Sequence, residues 1–95
     1  MLPKNRAPIG PSLILSEFLA EYGITQTQFA QHLHWTTTKV NQLVRGKLSV
    51  TPMTAFALAD AFGNSPEFWL NAQMAVDLWE AQQKHSKIPR LPQAS

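Results

Sequence analysis

The stretch Thr25-Gln26-Thr27-Gln28-Phe29-Ala30-Gln31-His32-Leu33-His34-Trp35-Thr36-Thr37-Thr38-Lys39-Val40-Asn41-Gln42-Leu43-Val44-Arg45-Gly46-Lys47 decides the fold of this chain. It opens in capping-box form, with the Thr25 hydroxyl and the Gln28 amide each able to satisfy a first-turn N–H. Phe29, Ala30 and Leu33 follow at helical spacing, so 26–33 reads as a short helix. His34-Trp35 breaks it, and Thr36 offers a second hydroxyl cap for a helix over 37–45 that carries Val40, Leu43 and Val44. Gly46 stops that helix. Two short helices across a tight turn let the second project into a DNA major groove.

The second helix has the side chains for that role. At 100° per residue, Thr37, Thr38, Asn41, Gln42 and Arg45 fall within one arc of about 140°, opposite Val40, Leu43 and Val44. Asn and Gln pair bidentately with adenine, Thr offers a hydroxyl and a methyl, and Arg reaches guanine or phosphate. An ordinary solvated helix face also carries polar residues. What distinguishes this one is the combination of a tight helix pair, an uncharged hydrogen-bonding arc, Arg45-Gly46-Lys47 at its end and no nearby acid.

Outward from this pair, the punctuation predicts three more helices. Gly10-Pro11-Ser12 leads into Leu15, Phe18, Leu19 and Tyr22, and Gly23 follows, which predicts a helix over 11–22. Thr51-Pro52 and Ser65-Pro66 each place a hydroxyl cap before a proline at the first helical position, where a missing N–H costs nothing. The first opens a helix over 52–62 with Ala55, Leu58, Ala59 and Phe62 on one face. The second opens a helix over 66–84. No segment alternates with period two, so the expectation is an all-α, five-helix domain over 11–84, between an N-terminal arm (1–10) and an extended C-terminal tail (85–95). Prolines at 89 and 92 keep that tail out of helix.

Composition sets the outer limits. Ninety-five residues, 44% of them hydrophobic, are enough for one core and too few for two. No apolar run approaches the length of a membrane span, and no secretory signal pattern opens the chain. The absence of cysteine removes disulfides, thiolate nucleophiles and Cys-based zinc sites. A cytoplasmic, soluble protein is expected. The net charge of +2 is small, but from Thr25 to Ala59 there are three cations and no acid, a footprint that suits a polyanion.

Ile24–Ala30 and Lys39–Lys47 resemble the helix-turn-helix of the phage-repressor-like (XRE/Cro-C1) family. Ser49-Val50-Thr51-Pro52, Ala57-Leu58-Ala59 and Phe62-Gly63-Asn64-Ser65-Pro66-Glu67-Phe68-Trp69-Leu70-Asn71, with the later Asp77-Leu78-Trp79, resemble more selectively the HigA-type (VapI-like) antitoxins of bacterial toxin–antitoxin modules. The likeness covers about residues 8–84. It implies a lambda-repressor-like fold and a dimeric transcriptional repressor on its own promoter, with a RelE-like ribonuclease toxin neutralised by direct contact. It further implies that Thr37, Thr38, Asn41 and Gln42 face bases, while Gln26, Arg45 and Lys47 meet phosphates, Gln26 also bracing the recognition helix. The chain departs from the family pattern at the turn. His34-Trp35 stands where the family usually has glycine and a small aliphatic residue, so a positive φ at His34 would carry strain.

The remaining features weigh against catalysis. His32 and His34 diverge by about 200° on a helix end and have no third ligand nearby in sequence, so no metal is expected. No hydrolase motif or phosphate-binding glycine loop occurs, and Glu17 with Glu21 is an ordinary i,i+4 acidic pair. No enzyme activity and no cofactor are expected. The last helix carries two apolar stripes. Phe68, Trp69, Ala72, Ala75, Val76 and Trp79 form a broad core face, while Leu70, Met74 and Leu78 form a second stripe suited to a homodimer interface. Both ends of the chain are proline-bearing and basic, whereas toxins of the implied class are usually basic themselves. The acids Glu17, Glu21, Asp60, Glu67, Asp77 and Glu80 are therefore the expected toxin-facing group. Two rival functions stand beside this one: a stand-alone regulator without a toxin, and a protein-interaction module with a vestigial helix-turn-helix.

Overall fold

The computed structural model describes residues 6–93; the first five positions of the N-terminal arm and the last two of the tail lie outside the described residues. The chain forms α1 (Pro11–Tyr22), α2 (Gln26–Leu33), α3 (Thr37–Val44), α4 (Pro52–Phe62) and α5 (Pro66–Lys84), with no strand among the described residues. The predicted five-helix fold is the observed one. Its one boundary difference is Arg45, which caps α3 at φ −88°, ψ 0° instead of forming its last turn.

Side-chain oxygens start four of the five helices. The Thr25 hydroxyl accepts from Gln28 N at 3.1 Å while Gln28 Oε1 accepts from Thr25 N at 2.8 Å, completing the expected box. Thr36, Thr51 and Ser65 accept from Lys39 N, Thr54 N and Phe68 N in turn. Four helices also stop in one way. Gly23, His34, Gly46 and Gly63 all adopt positive φ, and the next residue's N–H donates five residues back, as in Trp35 N to Ala30 O at 2.8 Å. His34 is the one side-chain-bearing residue at such a stop, at φ 58°, ψ 37°. A left-handed backbone on an L-residue costs roughly 1–2 kcal/mol. The strain anticipated at this position is present.

The core gathers Leu15 and Leu19 of α1, Phe29 and Ala30 of α2, Val40 and Leu43 of α3, Ala55, Leu58 and Ala59 of α4, and Trp69 of α5. Each large member stabilises the fold by about 1.5–3 kcal/mol through area removed from water. Half-buried Phe62 packs against it, with ring centroids 5.0 Å from Phe18, 5.2 Å from Phe29 and 5.8 Å from Trp69. Trp69 is fully buried, and its indole N–H donates to Asn64 Oδ1 at 2.8 Å, so burial leaves no orphaned donor. Two residues expected inward turn out to lie at the edge. Tyr22 is exposed and meets Phe62 edge-to-face, and Phe68 is 41% exposed while stacking on Phe18. Both flank the aromatic cluster of Phe18, Phe62 and Trp69 from its outer side.

Candidate nucleic-acid interface

Helix α3 sits on the body through Val40 and Leu43, both buried. That docking turns Thr37, Thr38 and Gln42 to solvent, and Arg45 and Lys47 are exposed just beyond the helix. Thr37 and Thr38 occupy the first turn, the part of a recognition helix that meets base edges. The turn after the helix is tied to it, since the N–H groups of Lys47 and Leu48 both donate to Gln42 O, at 2.8 and 3.3 Å. Backbone geometry therefore sets where Arg45 and Lys47 stand relative to the exposed arc.

Asn41 differs from its neighbours. It is half-buried, and its Nδ2 donates to Gln26 Oε1 at 3.1 Å, joining the first residue of α2 to the middle of α3. This contact orients both amides. With its oxygen accepting, Gln26 keeps its Nε2 hydrogens as donors, and Asn41 keeps one amide hydrogen and its carbonyl beyond this bond. Of the four residues expected to face bases, three stand open and Asn41 is shared with the brace.

Three features of this surface were not read from the sequence. Lys39 lies over the Trp35 ring with Nζ 4.1 Å from the centroid, so the bulky turn residue holds a cation beside the recognition helix. Trp35 itself packs half-buried against the core. Gln73 of α5 accepts from Val50 N at 2.9 Å and donates to Asp77 Oδ1 at 2.9 Å, which fixes the α3–α4 connection to α5. A glutamine within an apolar-striped helix was the available signal, but only packing shows what it holds. Met53 and Phe56 on α4 are also strongly exposed, an apolar pair off the core face of Ala55, Leu58, Ala59 and Phe62.

On α5, Met74 and Leu78 are 58% and 49% exposed, whereas Leu70 is half-buried and packs against the core. The second stripe is thus open over two of its three residues. Trp79 is half-buried on the broad face, its indole nitrogen buried without a partner among the described residues. No group of three or more His, Asp or Glu side chains among the described residues is placed to hold a metal ion. No described helix is long and apolar enough to cross a membrane.

A polar-faced helix seated by its apolar side behind a capped, tightly turned partner defines a DNA-binding helix-turn-helix protein. The helix-turn-helix family matches residues 15–69, more than half of the chain. The chain belongs to that family, in its XRE-type, HigA-antitoxin branch. It is 38% identical over 88 residues to antitoxin HigA-1 of Vibrio cholerae, covering 92% of this chain and 83% of that one. An addiction module antidote protein of the HigA family from Coxiella burnetii superposes with a TM-score of 0.79 at 41% identity, over 83% of this chain and 87% of the other. Antitoxin HigA of Pseudomonas aeruginosa, whose structure includes the higBA promoter, superposes with a TM-score of 0.77 at 33% identity, over 88% and 99% of the two chains.

Proposed function

We propose that this chain is the antitoxin of a type II toxin–antitoxin module, binding an operator in its own promoter as a homodimer and neutralising a RelE-like ribonuclease toxin by direct contact. The observation that carries the DNA half is the exposed Thr37, Thr38 and Gln42 arc, braced from behind by Asn41 and Gln26 and flanked by Arg45 and Lys47. In this reading Thr37, Thr38, Asn41 and Gln42 read bases, while Gln26 Nε2, Arg45 and Lys47 hold phosphates. The structure of Pseudomonas aeruginosa HigA with the higBA promoter, of the same fold, supports the operator-binding reading.

The protein half rests on kinship with antitoxins and on charge. Glu17, Glu21, Asp60, Glu67, Asp77 and Glu80 are all exposed, an acidic set that suits a basic toxin. Met74 and Leu78 supply the homodimer contact, with Leu70 at its inner edge. The functional unit spans residues 11–84, with the arm and the tail as its extensions. It acts in the cytoplasm, without a cofactor and without catalysis of its own.

Expression from the native locus, with both neighbouring genes intact, tests this reading. A stoichiometric small basic partner that arrests growth when expressed alone is the expected result. A protein that purifies alone yet still shifts its promoter DNA removes the toxin half and leaves a stand-alone repressor. A tight protein partner with no salt-dependent DNA binding identifies an interaction module with a vestigial helix-turn-helix.

A further inference from the structure

The chain entering α1 and the basic turn that follows α3 meet at one corner of the molecule. The chain entering α1 is pressed onto α5 at Gly10, which is buried; a Cβ there would lie 2.6 Å from Val76 Cγ2. Two residues later, Ser12 lies against the turn that follows α3, its Oγ 3.5 Å from where a Gly46 Cβ would stand. Gly10, Pro11 and Ser12 line one small cleft together with Gly46, Leu48 and Ser49. The N-terminal segment thus reaches the body beside Arg45-Gly46-Lys47.

Upstream of this anchor Pro8 is still half-buried, and Arg6 is exposed. Four residues of extended chain span at most about 14 Å, so Arg6 stands within that reach of Gly10, and Ser12, two residues beyond Gly10, lies against the turn that presents Arg45 and Lys47. Lys4 precedes it in sequence, and the first acid of the chain is Glu17. Arg45 and Lys47 at this corner, and Arg6 upstream of it, belong to a chain that has no acid before Glu17 and none between Thr25 and Ala59. An anionic polymer that reaches past the recognition helix fits this arrangement.

We propose that Arg6 binds a DNA backbone phosphate adjoining those held by Arg45 and Lys47, so that the N-terminal arm extends the contact along the operator flank. This rests on the DNA-binding reading above. The contact adds affinity but no base specificity, because a phosphate carries no sequence information. The competing occupant is Glu80, one helical turn beyond Val76 on the same side of α5. An internal Arg6–Glu80 pair would leave the arm silent toward DNA.

The test is the salt dependence of binding by the full chain to a duplex of the region upstream of its own gene. Arg6→Gln is compared with the unaltered protein and with Lys87→Gln, a tail cation outside this corner. Each phosphate contact contributes about 0.9 to the slope of log K against log salt. Arg6→Gln is therefore expected to reduce the slope by about 0.9 per chain bound, uniformly across operator variants, while Lys87→Gln leaves it unchanged. An unchanged Arg6→Gln slope, or an equal loss in Lys87→Gln, overturns the arm contact and leaves the helix-turn-helix reading intact. Absence of salt-dependent binding by the unaltered protein overturns both.

Discussion

Asn41 Nδ2 donates to Gln26 Oε1 at 3.1 Å, and this one bond joins the two helices of the DNA-binding pair through the side chains expected to touch DNA. Gln26 Oε1 is engaged by this bond, which leaves its amide nitrogen as the group with hydrogens to donate. The brace and the proposed phosphate contact thus fall on one side chain.

The two roles can be separated. Gln26→Glu keeps an acceptor for Asn41 but replaces the donor with a negative charge. The expected outcome is an unchanged melting temperature with operator affinity lower by on the order of tenfold or more, each tenfold corresponding to about 1.4 kcal/mol. Asn41→Ala removes the brace and is expected to cost about 0.5–1.5 kcal/mol of stability as well as affinity. Combined with Gln26→Ala, it should lose less affinity than the sum of the single losses, because both changes break one contact. Strict additivity in the double-mutant cycle would show that the bond contributes nothing to binding.

His34 holds the turn with a backbone that glycine adopts freely. His34→Gly is expected to stabilise the domain by about 0.5–1 kcal/mol, the relief of strain outweighing the added freedom of the unfolded chain. For a domain of this size that corresponds to a rise in Tm of roughly 3–6 °C, read by thermal denaturation. His34→Val should lower it, since a β-branched residue fits a positive φ worst. A lower Tm for the glycine variant would mean that the imidazole contributes more than its backbone costs.

Gly10 is required by proximity to Val76 and not by its φ of −100°. Val76 is β-branched and held in a helix, so it has little rotamer freedom with which to move aside. Gly10→Ala is expected to cost about 1–3 kcal/mol by denaturant titration. In a Val76→Ala background the same change should cost clearly less, since its partner has been cut back. Equal costs in the two backgrounds would contradict the contact.

The open stripe on α5 makes a separate prediction. Met74→Glu with Leu78→Glu places charge on side chains already exposed in the single chain, so the fold is expected to keep its Tm. Sedimentation should show a monomer, and affinity for a two-half-site operator should fall on the order of tenfold or more as the linked second contact is lost. A variant that still sediments as a dimer places the interface elsewhere, with the exposed Met53 and Phe56 as the next surface to alter.

The sequence by itself determined where the helices start and stop and which side of α3 faces the core. Those features depend on local chemistry. Hydroxyls at Thr25, Thr36, Thr51 and Ser65 cap the neighbouring turn, glycines at 23, 46 and 63 accept a positive φ, and the apolar spacing of α3 seats it by Val40 and Leu43. For the same reason, the exposed arc of Thr37, Thr38 and Gln42 was legible before any coordinate. Only the tertiary structure decided how separate segments share space. It set Asn41 against Gln26, Gln73 beneath Val50, Lys39 over Trp35 and Gly10 under Val76. It also turned Phe68 and Tyr22 outward and Leu70 partly inward. Helical spacing fixes the direction in which a side chain leaves its own axis. What it meets there depends on the angle at which another helix crosses, and that angle comes from packing the whole aromatic core at once.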